Sequence, residues 1–239
     1  MAYQRIMVGT DGSETAVRAV AAATRLAKRL GSKVHIATAF GGNVDKETAV
    51  EVVRYARQAV RAEGVETQTH MLEGNPDDVL TELAARHGVD VIVVGNVGMG
   101  KARRFKLGGI AEQVAHGAPC DVLIVHTRDD RPEAGQYGNV LVGTDGSATA
   151  TEAARKGFEL AEMLGAEVTL LHVGDELIGA VVLERTAKDR PGAAPVHTVA
   201  EPSGDPADRI IEVAGRGEVD LVMVGNKGLA GTRRYLLGS

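Results

Sequence analysis

YQRIMVGTDGSETA, residues 3–16, returns later in the chain as YGNVLVGTDGSATA, residues 137–150. Each copy is a short apolar run that stops at Gly-Thr-Asp-Gly-Ser and continues into an alanine-rich segment. An apolar run too short for a helix and closed by turn residues reads as a buried strand. The serine that follows reads as a helix start. Strand, tight turn and helix are the opening of a βαβ unit, and so of a parallel sheet. Its return at an offset of 134 residues marks a duplicated domain, since solenoid repeats recur every 20 to 50 residues or so.

The match extends beyond these stretches. Leu26, Ala27, Leu30 and Gly31 correspond to Leu160, Ala161, Leu164 and Gly165. Past a variable stretch, EGNPDDVL (73–80) and GVDVIVVGNVG (88–98) find partners in SGDPADRI (203–210) and EVDLVMVGNKG (218–228), now at an offset of 130. The polar, Pro- and Gly-containing TRDDRPEAGQ at 127–136 reads as a linker. The expected organisation is a first domain at 1–127, a linker at 128–136 and a second domain at 137–239.

Within the first copy, strands are expected at 5–8, 33–40, 65–72, 89–95 and 120–125. Helices are expected at 13–30, 45–63, 76–87 and 110–116. Ala16, Ala19, Ala23, Leu26 and Leu30 line one face of the first helix, and Gly31 stops it. The 65–72 strand alternates and suits an edge, whereas the others are near-continuous Val/Ile/Leu runs suited to burial on both faces. The fold expected is α/β, two tandem doubly wound open parallel sheets, the second without the last helix and strand of the first.

Composition agrees with this and narrows the function. The 239 residues are 44% hydrophobic but 3% aromatic with no Trp, so the core must be aliphatic. A net charge of −5 leaves no overall footprint for nucleic acid. Cys120 is the single cysteine, which excludes an internal disulfide framework. With no leader-like start and no apolar run of about 18 residues, a soluble cytoplasmic protein without membrane contact is expected.

In doubly wound sheets ligands sit beyond the carboxyl ends of the strands, where the two best-matched segments of the duplication fall. The first is GTDGS at 9–13 and 143–147. Asp11 and Ser13 would serve there as caps for a helix, and Asp11 and Asp145 could equally face a ribose or a phosphate-bound cation. The second is GNVGMGKARRFKLGG at 95–109, matched by GNKGLAGTRRYLLGS at 225–239. Its glycines let the backbone approach oxygen atoms closely, and its N–H groups near a helix start suit an anion. Lys101, Arg103, Arg104 and Lys106 meet no acid in the first loop, nor do Lys227, Arg233 and Arg234 in the second. A solvated basic turn is the plainer alternative. The first loop is not a P-loop, because Ala102 lacks the hydroxyl that holds magnesium and the second copy loses the lysine as well. No G-x-G-x-x-G follows the first strand, so neither NAD nor FAD is indicated.

Both loops do space their glycines alike: Gly95, Gly98 and Gly108, then Gly225, Gly228 and Gly238. This pattern, with VGTDGSE at the first strand, the GNP and GDP steps and the closing APCDVLIV, resembles the universal stress protein family, whose ATP-binding members carry G-x2-G-x9-G-[ST]. The resemblance spans essentially the whole chain. It implies a Rossmann-like fold and ATP or another adenine nucleotide. Adenine would lie near Thr10, Asp11 and Ala39 in copy one and near Thr144, Asp145 and Val173 in copy two. The phosphates would follow Gly95, Asn96, Gly98, Gly100, Lys101, Arg103, Gly108 and Gly109, and in copy two Gly225, Asn226, Gly228, Arg233, Gly238 and Ser239. Magnesium could accompany them, held by Asp11 and Asp145. Gly109 stands where the family has Ser or Thr, and a lost hydroxyl contact to a charged phosphate is worth about 1.5–3 kcal/mol, roughly ten- to a hundred-fold in affinity.

Copy one continues after its loop with IAEQVAHGAPCDVLIV (110–125), which has no counterpart after Ser239. A second sheet short of its last strand would have an open edge, and weaker nucleotide retention is expected in copy two. The family commonly pairs subunits through that strand, so a homodimer through Val122–Val125 is expected. No nucleophile, base and orienting group recur together, so the expectation is a nucleotide-binding stress-response switch or interaction module with an unknown protein partner. A slow magnesium-dependent ATP hydrolase or phosphotransferase and a ligand-free dimerisation scaffold are the alternatives. His172 reads as structural, His70, His87 and His116 as surface residues, and Cys120 as buried and inert. No zinc or iron-sulfur ligand spacing is found.

Overall fold

The computed structural model describes residues 3–96, 108–126, 137–216 and 219–225. They fall into two compact units, one for each copy of the repeat. The first runs β1 (Arg5–Gly9), α1 (Glu14–Leu30), β2 (Lys33–Phe40), α2 (Lys46–Ala62), β3 (Thr67–Glu73), α3 (Pro76–His87), β4 (Val91–Gly95), α4 (Gly109–Gly117) and β5 (Asp121–Val125). Its five strands form one parallel sheet in the order β3-β2-β1-β4-β5. The chain thus builds outward from β1 to β3 and then crosses back to the other side of β1. Such a reversal opens a crevice beyond the carboxyl ends of β1 and β4.

The second unit runs β6 (Asn139–Gly143), α5 (Ala148–Leu164), β7 (Glu167–Val173), α6 (Glu176–Lys188), β8 (Val196–Glu201), α7 (Pro206–Gly215) and β9 (Leu221–Met223). Its described strands form a four-stranded parallel sheet, β8-β7-β6-β9, with the same reversal between β6 and β9. Both sheets are the doubly wound α/β arrangement expected from the repeat.

The strands of each sheet centre are apolar throughout because helices cover both faces. Ile6, Met7 and Val8 are fully buried, as are Val140, Leu141 and Val142, each such side chain contributing about 1.5–3 kcal/mol relative to exposure. Helix α1 buries Ala16, Ala19, Ala23 and Leu26, with Leu30 only half-buried, and its stripe is widened by Val20, Ala22, Thr24 and Ala27. Thr24 is admitted to this core because its hydroxyl donates to the Val20 carbonyl at 2.7 Å. The opposite face joins Met7 and Ile92 to Leu80, Leu83 and Ala84 of α3 and Val114 of α4.

Two strands start later than their apolar sequence suggests. Val65 and Val89 are buried, but each N–H closes the end of the preceding helix, donating to Val60 O at 3.4 Å and to Ala84 O at 3.0 Å. These residues belong to helix termini, and β3 and β4 begin two residues further on.

Candidate nucleotide crevice

The crevice of the first unit is bordered by the turn after β1 and the chain leaving β4. In the turn, Asp11 Oδ1 accepts from the Ser13 N–H at 3.0 Å and the Ser13 hydroxyl at 2.6 Å. Ser13 in turn accepts the Ala16 N–H at 3.3 Å and is the N-cap of α1. Copy two repeats this: Asp145 Oδ1 accepts from Ser147 N–H at 2.9 Å, and Ser147 caps α5 through Ala150 N–H at 3.3 Å. The capping role foreseen for the serines is therefore present, with the aspartate locking the turn rather than capping the helix itself. Gly12 and Gly146 hold the left-handed backbone, φ 79° and 78°, that the turn requires.

Thr10 is buried beneath this turn, its N–H donating to Ala37 O at 3.0 Å and its carbonyl accepting the Thr38 hydroxyl at 2.9 Å. In copy two Thr144 N–H donates to Leu171 O at 2.8 Å. Its carbonyl accepts from His172 Nδ1 at 2.9 Å, which places the proton on that nitrogen. Thr38 and His172 thus perform the same bond at equivalent places, so His172 is structural. Ala39 and Val173, near the ends of β2 and β7, are half-buried and pack against the cores of their units.

Across the crevice, Gly95 ends β4 against the first turn of α1. A Cβ there would lie 3.1 Å from the Thr15 carbonyl oxygen, and at Gly225 it would lie 2.8 Å from that of Thr149. Strand end and helix start are so close that these two glycines have a packing reason of their own. Asn96 N–H then donates to Val125 O at 3.0 Å, and Asn96 O accepts the Gly108 N–H at 2.7 Å. This second bond brings the far end of the loop back to its beginning, so that Gly108 is the N-cap of α4. Gly108 has no side chain to satisfy the first N–H groups of that helix, whereas α1, α2, α5, α6 and α7 are capped by Ser or Asp side chains. The exposed Gly109 has no atom within 4 Å of where a Cβ would stand. Free N–H groups on an accessible helix start are what an anion takes.

The structure therefore assembles Thr10, Asp11, Gly95, Asn96, Gly108 and Gly109 around one strand-end crevice, with Ala39 on β2. Gly98, Gly100, Lys101 and Arg103 lie outside the described residues, as do Asn226, Gly228, Arg233, Gly238 and Ser239. Thr144, Asp145, Val173 and Gly225 occupy the equivalent strand ends of copy two.

Two sequence expectations need correction. Cys120 is half-buried rather than buried, packing at the margin of the core just before β5. His116 is exposed as expected, but His70 and His87 are not surface residues. Both are half-buried and meet the buried His35: the three offer ligand nitrogens that all lie within 4.8 Å of one another. The signal for this grouping was the strand register, because pairing Ala37 with His70 puts His70 on the face that carries His35.

The profile of the Universal stress protein family matches residues 2–126, 136–192 and 179–239. A universal stress protein of Methanocaldococcus jannaschii is 30% identical over 139 residues, 52% of this chain and 82% of its own. A universal stress protein solved in complex with cAMP is 33% identical, the match covering 54% of this chain and 100% of that one, with a TM-score of 0.46. The crystal structure of a universal stress protein from Archaeoglobus fulgidus shares the fold over 99% of this chain and 92% of its own, with a TM-score of 0.80 at 20% identity.

Proposed function

Because the chain belongs to the universal stress protein family, we propose that it binds an adenine nucleotide, ATP or a relative such as cyclic AMP, and acts as a ligand-dependent switch or interaction module in the stress response. The observation that carries this reading is the start of α4 at Gly108 and Gly109, which has no side-chain cap and is tied by the Gly108 N–H to Asn96 at the end of β4, beside the strand-order reversal. A phosphate seated there gains unsatisfied N–H donors and the positive end of the helix dipole. At α1 the Ser13 side chain already takes one of the corresponding N–H groups.

Thr10, Asp11 and Ala39 are our candidates for the adenosine end of copy one, and Thr144, Asp145 and Val173 for that of copy two. The glycine loops take the phosphates, with Lys101, Arg103 and Arg233 supplying charge. A carboxylate accepts at both oxygens, so holding Ser13 through Oδ1 leaves Asp11 able to ligate a magnesium ion through Oδ2. That ion would screen the phosphate charge.

We also assign a homodimer to the free side of β5. That strand is the outer member of its sheet, and its residues Asp121–Val125 are all half-buried, with Val122 and Ile124 resting on the core. An edge of this kind is a template for a second strand. Light scattering at micromolar concentration gives twice the chain mass on this assignment, and a clean monomer contradicts it.

The nucleotide is identified by denaturing the purified protein and analysing what is released. Intact ATP or cyclic AMP supports a switch, ADP a hydrolase, and no nucleotide after incubation with either ligand contradicts the reading. If hydrolysis occurs, Asp11→Ala lowers turnover well beyond its effect on binding.

A further inference from the structure

We propose that His35, His70 and His87 form a binding site for a divalent transition metal, of which Zn2+ is the best match, on the α3 face of the first sheet. The site is separate from the nucleotide crevice. His35 lies early in β2, His70 lies on β3 beside Ala37, and His87 is the last residue of α3, whereas the crevice lies past the ends of the strands and the start of α4.

The three rings are packed as a group. His35 and His70 stack with centroids 5.2 Å apart and planes within 1° of parallel. His87 is tilted against both, at 5.6 Å from His35 and 4.3 Å from His70. His35 Nδ1 and His70 Nε2 are 3.0 Å apart, one donating to the other. His35 Nε2 is buried and, among the described residues, has no hydrogen-bond partner. A cluster of imidazoles with one buried nitrogen left over is a poor way to fill a core, since each ring carries two polar atoms that need partners.

A metal could instead take one nitrogen from each ring. Tetrahedral Zn2+ binds imidazole nitrogen at about 2.0–2.1 Å, which sets ligand nitrogens about 3.3 Å apart. One pair is already at 3.0 Å and all three fall within 4.8 Å, close to the spacing such a set needs. His70 and His87 are half-buried and so admit a water as fourth ligand, as in three-protein-ligand zinc sites.

The ligand atoms select the kind of metal. Lys33, Arg5 and Arg86 are the cations that act on His35 and His70. Lys33 is paired with Glu66 at 2.9 Å and Arg86 with Glu82. Imidazole nitrogen suits Zn2+, Ni2+ or Cu2+ and offers nothing to Ca2+ or Mg2+, which need oxygen.

The cluster is not a requirement of the fold. Copy two builds the same strands with Thr169 and Val199 at the places of His35 and His70, and its sequence has Gly217 at that of His87. Thr169 spends its hydroxyl on Asn139 Oδ1 at 3.1 Å instead.

The test is calorimetric titration of the full-length protein, stripped with chelator, with Zn2+ alone. One tight Zn2+ per chain is expected in the wild type. His70→Gln and His87→Gln should each weaken it at least ten-fold while leaving far-UV circular dichroism and nucleotide content unchanged. Zinc K-edge absorption of the wild type should show three imidazole nitrogens. The proposal is overturned if Zn2+ does not bind saturably, if the folded variants bind it as the wild type does, or if the absorption spectrum shows fewer than two imidazoles. Because nucleotide is read separately, loss of the metal site and loss of the nucleotide reading are told apart.

Discussion

At the scale of single residues, Gly12 shows how much a turn can depend on one side chain being absent. Its φ is 79°, and a Cβ there would stand 2.7 Å from Val52 Cγ2. Gly12→Ala therefore meets backbone strain and a clash together, and should cost about 2 kcal/mol in urea unfolding. Gly109 is the opposite case, with nothing within 4 Å of the added carbon. Gly109→Ser should fold normally and tighten ATP binding by roughly ten- to a hundred-fold, the worth of one hydroxyl bond to a charged phosphate; unchanged affinity in calorimetry would remove the phosphate from this helix start. Tyr3 has a left-handed backbone, φ 58°, and its hydroxyl donates to Asp121 Oδ2 at 2.9 Å, tying the entry of β1 to that of β5. Burial and the Asp121 carboxylate push its ionisation well above the usual tyrosine range, so it remains a donor. Tyr3→Phe should lower stability by about 1–2 kcal/mol by leaving that carboxylate short of a partner.

Among the elements, legibility in the sequence followed the range of the interactions that shape them. Helix α3 is found at the expected residues because Pro76 opens it and Gly88, with φ 58°, closes it, both local signals. Strands β3 and β4 were read two residues too long at their starts, since an apolar residue that closes a helix cannot be told by pattern from one that opens a strand. Val65 and Val89 are those residues. His172 was legible as structural by comparing the copies, where Thr38 stands in its place and makes the same bond. The histidine cluster was not legible, because positions 35, 70 and 87 have no local spacing and meet only through strand register and the docking of α3. The glycines at 95 and 225 were read as ligand-facing alone, and their second reason, contact with the next helix, is tertiary as well.

For the whole molecule, one gene-encoded unit is used twice, and the comparison of its copies separates what the fold needs from what each copy adds. The aspartate-locked turn, the buried threonine and the strand-end glycine are common to both units. The three histidines belong to the first alone. The shared features all border the strand-order reversal, where we propose the nucleotide binds. The most direct test of that binding is an ATP titration of Gly108→Asp by calorimetry, alongside thermal unfolding. Gly108 has the extended backbone of an N-cap, φ −66° and ψ 147°. An aspartate there caps α4 and adds a few tenths of a kcal/mol of stability or more, while taking the N–H groups that a phosphate would use and repelling its charge. The expected result is an unchanged or higher melting temperature with the number of ATP molecules bound per chain reduced by one. A variant that binds ATP with the wild-type isotherm would contradict it.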